Sequence, residues 1–346
     1  MENNYKNKKY LKEILFMGLL IIVTFYLLFK DNDLGELINV IKSCKANYVA
    51  IGIICALIFT CGEALNIRRT LNVLFKYKVS FIASIKYAFV GFFFSAITPS
   101  STGGQPMQVY YMKKDNIEVS HSSLTLLMEL TSFQFISIIF AALSVVINFQ
   151  VIKSMNSSVI IFLAMGITLN LIVLMFIMCA IFSNNFVVNL LKSIFKVIDK
   201  LKFCNIKPST RESIFNQLSE YKAGVVLMKK NKKIAFKILL TSIIQITASY
   251  SITYFVYRAL GLNGLSIFHI IGIQSILSST VSCLPIPGAV GISESVFLIL
   301  FKTIYPPALL SPAMLLSRGI NFYFLLIISA LGIIVSSKNK FAKKLS

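Results

Sequence analysis

Six apolar runs, Leu15–Phe29, Tyr48–Asn66, His121–Asn148, Val159–Phe182, Ile234–Tyr257 and Ala313–Val335, alternate along the chain with short segments that hold most of the lysines. A helix needs about 20 mostly apolar residues to cross ~30 Å of hydrocarbon, so each run predicts a spanning helix. Two further apolar arms, Ile85–Thr98 and Ser266–Cys283, end differently. The first runs into Pro-Ser-Ser-Thr-Gly-Gly-Gln-Pro from Pro99 to Pro106, the second into Leu-Pro-Ile-Pro-Gly-Ala-Val-Gly-Ile-Ser-Glu-Ser from Leu284 to Ser295. Proline lacks an N–H and clashes with the preceding turn, so neither stretch continues a regular helix. In hydrocarbon such a break survives only where protein or a water-filled cavity surrounds it. The pattern predicts an all-α polytopic membrane protein, with about six spanning helices and two re-entrant broken helices.

Asn184–Lys233 is the one sizeable polar region. Val187, Leu190, Leu191, Ile194, Ile198 and Leu201 recur at helical spacing, which predicts an amphipathic helix lying on the membrane surface. Ser209 followed by Glu212 has the form of a capping box opening a second helix. At about 50 residues the region is too small for a catalytic domain of the usual ~100–150 residues. The chain therefore reads as one domain over 1–346, with half one at about 46–148, half two at about 234–336 and the polar segment 184–233 between them.

Composition agrees. The 346 residues are 56% hydrophobic and 14% charged, against about 25% charged in soluble domains. The formal net charge of +21 would suggest nucleic acid in a soluble protein, but here the lysines cluster between apolar runs. That is the signature of cytoplasmic loops, and it argues against direct nucleic-acid binding. If both broken stretches enter and leave on the same side, every basic cluster falls inside. Both termini and Asn184–Lys233 are then cytoplasmic, with the chain in the plasma membrane. The first run lacks a small-residue cleavage site and is expected to stay as a span. The six cysteines show no C-x-x-C spacing and read as small apolar residues. His121 and His269 open apolar runs and read as interfacial. No cofactor and no metal is expected.

The two breaks resemble each other. Pro99 and Gly103 are four apart, as are Pro287 and Gly291; Glu129 follows the first proline by thirty residues, and Arg318 follows the second by thirty-one. With opposite membrane orientation, this is the pattern of an inverted repeat whose broken helices meet near the midplane at a substrate site. Helix N-termini at Gly104 and Gly291 would present free N–H groups to an anion. Ser100, Ser101, Thr102, Gln105 and Ser293 add polar groups, the glycines Gly103 and Gly288 allow close approach, and Arg318 supplies a fork suited to phosphate. Glu129 and Glu294 are candidates to pair with Arg318 or with a substrate amine, and a structural Arg318–Glu294 pair is the plain alternative. Glu63, near the end of its span, is expected to pair with Arg68 or to snorkel.

These residues carry a resemblance. Thr98-Pro99 through Gln105-Pro106, Leu127-Met128-Glu129, Leu284 through Glu294, and Leu316-Ser317-Arg318 are similar to the transmembrane, flippase-like domain of the lysylphosphatidylglycerol synthase family, the membrane part of multiple peptide resistance proteins. Leu130 stands where the family pattern carries an arginine after the glutamate. In full-length members a C-terminal cytoplasmic domain transfers an amino acid from aminoacyl-tRNA to phosphatidylglycerol, and the membrane part moves the product between leaflets.

The resemblance thus implies translocation of an anionic or aminoacylated phospholipid. Nothing in these residues offers a soluble acyl-transfer domain, a nucleophile–His pair or a metal cluster. Two alternatives stay open: phosphatidylglycerol lysyl transfer, with a separately encoded synthase subunit as partner, and secondary transport of a small solute. A homo-oligomer is left open as well.

Overall fold

The computed structural model describes residues 39–40, 42–153, 157–183, 187–189, 192–193, 196, 208–282 and 286–345. The expected span Leu15–Phe29, most of the first amphipathic helix and Cys283–Pro285 lie outside these. Among the described residues every regular element is helical. In chain order they are α1 (Ala46–Leu74), α2 (Phe81–Ile97), α3 (Gly104–Lys114), α4 (Val119–Ile147), α5 (Ser157–Phe182), α6 (Pro208–Lys230), α7 (Lys232–Ala259), α8 (Ile267–Val281), α9 (Ile292–Leu300), α10 (Pro307–Arg318) and α11 (Leu325–Leu345). Short 3-10 turns, Pro99–Ser101 and Pro287–Ala289, sit at the two breaks. A π turn, Gly319–Phe324, joins α10 to α11.

Five described helices are long and apolar enough to cross a membrane: α1, α4, α5, α7 and the continuous α10–α11. This is a multi-pass membrane protein. The most extensive helix contact is between α1 and α7. On α1, Gly52, Ala56, Thr60 and Ala64 recur every four residues and are all buried. Lipid supplies no hydrophobic drive between helices, so such small-xxx-small stripes pack by letting backbones approach. Helix α7 is 56% buried along its most apolar window, whereas α5 is only 17% buried. Among the five, the first is the most buried and the second the least.

The broken arms fold back as helical hairpins. Ser80 caps α2 by accepting from Ala83 N at 3.2 Å, and Ser266 caps α8 by accepting from His269 N at 3.4 Å. Arms α2 and α3 pack at glycine distance: a Cβ added to Gly104 would lie 2.1 Å from Ser95 Oγ and 2.8 Å from the Gly91 carbonyl.

Three boundaries differ from expectation. Helix α1 continues through Arg68 and Arg69 to Leu74, so those cations sit on the helix. Helix α6 begins at Pro208, which places Ser209 inside it and not at a cap. The last span begins at Pro307, six residues before the expected Ala313, because proline is well suited to the first helical turn. Arg318 is therefore the twelfth residue of its span, where a start at Ala313 would have made it the sixth.

Candidate functional site

The two breaks touch. Their contact is apolar at its centre, where Ala96 from α2, Val290 after the second break and Phe322 from the π turn are buried together. Gly288, at φ 58°, approaches so closely that an added Cβ would lie 3.3 Å from the Ala96 carbonyl and 2.4 Å from the Phe322 ring.

At the second break, Glu294 reaches back to its own helix start and accepts from Gly291 N at 2.8 Å. A carboxylate there is favoured by the helix dipole and by the unpaired N–H groups. The anion position foreseen for a ligand at this N-terminus is thus filled by the protein. The other carboxylate oxygen accepts from Arg318 Nε at 2.9 Å. Arg318 Nη2 donates to the Gly288 carbonyl, and the guanidinium lies 4.2 Å from the Phe322 ring centre. Nη1 finds no acceptor among the described residues. Glu294 is only 3% exposed, so this is a buried pair. The plain alternative, an Arg318–Glu294 ion pair, is present, and one N–H edge of the cation is left over.

Arg318 also lines a cavity of ≈ 180 Å³ framed by α1, α2, α7, α8, α9 and the last span. Ser278, Gln274, Ser293, Arg318 and Asn321 supply its polar wall, and Phe59 and Phe92 its apolar one. Ser317 Oγ and Asn321 Oδ1, buried beside Arg318, have no partner among the described residues.

The first break is built differently. Thr98 Oγ1 accepts from Gly103 N at 2.8 Å and donates to Phe94 O at 2.6 Å. Thr102 turns its hydroxyl back to Pro99 O at 2.9 Å. Ser100, Ser101, Thr102 and Gln105 are exposed, with Ser100 and Ser101 in the left-handed region at φ 50° and 56°. Of the sequence candidates, Pro287, Gly288, Gly291, Ser293, Glu294 and Arg318 come together. The polar residues of the first break do not join them.

Glu129 is elsewhere. It accepts from Gln245 Nε2 at 3.5 Å and faces Glu63, and neither Arg318 nor Glu294 is among its contacts. Glu63 does not pair with Arg68, whose Nε donates to Val79 O at 3.3 Å. It accepts from Gln108 Nε2 at 2.6 Å. Sequence reasoning missed Gln108 and Gln245, both nearly fully buried; an amide inside an apolar helix was the available signal.

His121 lies where the loop after α1 meets α4. It stacks on Phe75 at 4.1 Å, bonds Tyr77 Oη at 3.1 Å, and has Glu118 and Glu220 at 3.6 and 3.9 Å. The two carboxylates approach different ring nitrogens, and the Glu220 contact brings α6 beside α4.

The sequence profile of the lysylphosphatidylglycerol synthase TM region matches residues 14–329. The chain belongs to this family. It is 24% identical over 269 residues to a UPF0104 membrane protein of Pyrococcus horikoshii, covering 76% of this chain and 78% of that one. It is 25% identical over 273 residues to a UPF0104 membrane protein of Archaeoglobus fulgidus, covering 77% and 80%. The match takes in both breaks, Glu63, Glu129, Glu294 and Arg318.

Proposed function

We propose that this chain carries a phospholipid between leaflets, with phosphatidylglycerol or its aminoacylated form as the substrate. The observation that carries the reading is the cavity beside Arg318, where a charged fork with one unused edge meets a polar wall inside a membrane bundle. A phosphate accepts from such an edge through charge-assisted bonds. The other polar groups of the wall suit glycerol hydroxyls or an ester. In this reading the headgroup occupies the junction of the breaks and the acyl chains stay in lipid. The two halves have opposite orientation in the plasma membrane, with both termini and the polar segment cytoplasmic. The family name supports a lipid over a soluble solute.

The test is reconstitution in vesicles carrying headgroup-labelled phosphatidylglycerol or lysylphosphatidylglycerol, scoring leaflet exchange. Wild-type protein should accelerate exchange and Arg318→Gln should not. Exchange at the protein-free rate for both lipids would overturn the reading. New lysylphosphatidylglycerol in a synthase-free host expressing this chain would favour the enzymatic alternative.

A further inference from the structure

The first break ends in an exposed polar tip, formed by Ser100, Ser101, Thr102 and Gln105. Its depth follows from the packing of α3. Gln108 bonds Glu63 at 2.6 Å, and Met112 is buried with Ile67 and Leu71, so α3 runs beside α1 in the same direction. Glu63 is eleven residues from the end of α1 and seventeen from its start, about 16 and 26 Å along a helix long enough to span. Gln105, three residues before Gln108, lies near the level of Thr60, the middle residue of α1. The tip is therefore polar, exposed and deep in the bundle.

Hydrocarbon does not tolerate that combination. Irregular backbone at membrane depth persists only inside protein or beside water. The exposed side of α5 carries Ile161, Met165, Leu169 and Ile172, side chains that hydrocarbon accepts. The exposed side of α3 differs. It leads from Gln105 past Pro106 and Tyr110 to Lys113 at the helix end. Lys114 lies over the Tyr110 ring at 4.3 Å. Asp115, the next residue, is taken by Lys86 and by Tyr87 Oη. One face thus joins hydroxyls and an amide at its inner end to ammonium groups at its outer end.

We propose that the outer face of α3 lines a water-filled groove, open at Lys113 and Lys114 and closed at the first break, and that an anionic phospholipid headgroup enters along it. Water in the groove hydrates the tip. The lysines draw a phosphate to the mouth. The hydroxyls and the amide replace its water at the inner end, where the first break touches the second. The acyl chains stay in the surrounding lipid. The groove stands whatever the substrate is; its use by a headgroup rests on the phospholipid reading above.

Single cysteines in an otherwise cysteine-free, full-length protein in phosphatidylcholine nanodiscs test both parts. A charged methanethiosulfonate attacks through the thiolate, which forms in water and not in hydrocarbon. Gln105→Cys and Tyr110→Cys should react about a hundredfold or more faster than Ile161→Cys and Met165→Cys on α5, since a buried thiolate is uncompensated. Rates at 105 and 110 as slow as at 161, or disulfide cross-linking of 105 between two copies, would overturn the groove. Relative to a small free thiol, a sulfonate reagent should gain about tenfold over a trimethylammonium reagent at 105, and Lys113→Gln with Lys114→Gln should erase that gain. No gain in the parent protein would overturn the preference for anions. Phosphatidylglycerol added to the nanodiscs should slow the reaction at 105 relative to 113, whereas inorganic phosphate should not. Protection by phosphate and not by the lipid, or by neither, would overturn the headgroup path while leaving the groove. Leaflet exchange without protection at 105 would overturn the route and not the substrate.

Discussion

Arg318→Gln is the perturbation whose cost the structure specifies best. The guanidinium makes a charged bond to Glu294 at 2.9 Å, a second to the Gly288 carbonyl, and a cation–π contact with Phe322 at 4.2 Å. Glutamine is shorter and neutral, and it leaves Glu294, 3% exposed, with Gly291 N as its remaining partner. Removing one member of a buried pair costs about 3–5 kcal/mol, mostly from the orphaned charge. Glu294→Gln orphans the cation instead, though Gly288 and Phe322 still hold it, so its cost should be about 2–3 kcal/mol. The double variant buries no charge and should lose less than the two single losses together, with a coupling of about 2–3 kcal/mol. The chain has no tryptophan, but Cys55 is buried in the cluster that contains Phe297 and Met314. Its reaction with a thiol dye during SDS titration, with the other cysteines replaced, reports unfolding. Additive costs, or an Arg318→Gln cost under about 1 kcal/mol, would refute the buried-pair reasoning. If Arg318 also binds phosphate, the double variant stays inactive even where it is stable.

Gly104→Val places atoms against the Gly91 carbonyl and Ser95 Oγ, so α2 and α3 must part; we expect a loss of about 1–3 kcal/mol in the same unfolding assay, and unchanged stability would show that the hairpin is looser than drawn. Cysteine labelling from outside whole cells should modify position 153 and miss position 230, since the proposed orientation puts the polar segment in the cytoplasm; labelling of 230 would reverse it.

The spans and the breaks were legible because they rest on strong signals. Hydrocarbon demands long apolar runs, and Pro99, Pro287 and the glycines around them cannot continue a helix. The Arg318–Glu294 pair was visible as one of two readings, since a buried cation seeks the nearest carboxylate. Glu129 was placed by analogy with Arg318, and the analogy failed. Equal spacing from a proline fixes depth along a helix but not the face on which a side chain emerges. The Glu63 expectation failed on helix geometry. Residues five apart lie on different faces, so Arg68 could not meet Glu63, whereas Asn66 and Ile67 share its side. Gln108 required the fold itself, because only the folding back of α3 on α2 brings it over Gly91 to Glu63. The exposed Gln105, three residues earlier, drew attention by lying nearer the break.

The second break holds a charge pair that a bound anion can loosen while Glu294 retains one partner. If a headgroup phosphate draws Arg318 away, Glu294 keeps the Gly291 N–H and the favourable end of its helix dipole. If Arg318 stays, it still lines the cavity. The residue after Arg318 opens the π turn Gly319–Phe324, where the regular hydrogen-bond ladder already slips. Arg318 lies over the Phe322 ring across that turn, and Phe322 packs on Gly288 and against Ala96 of the first hairpin. On the proposed reading, a phosphate pulling on Arg318 therefore moves the contact between the two breaks.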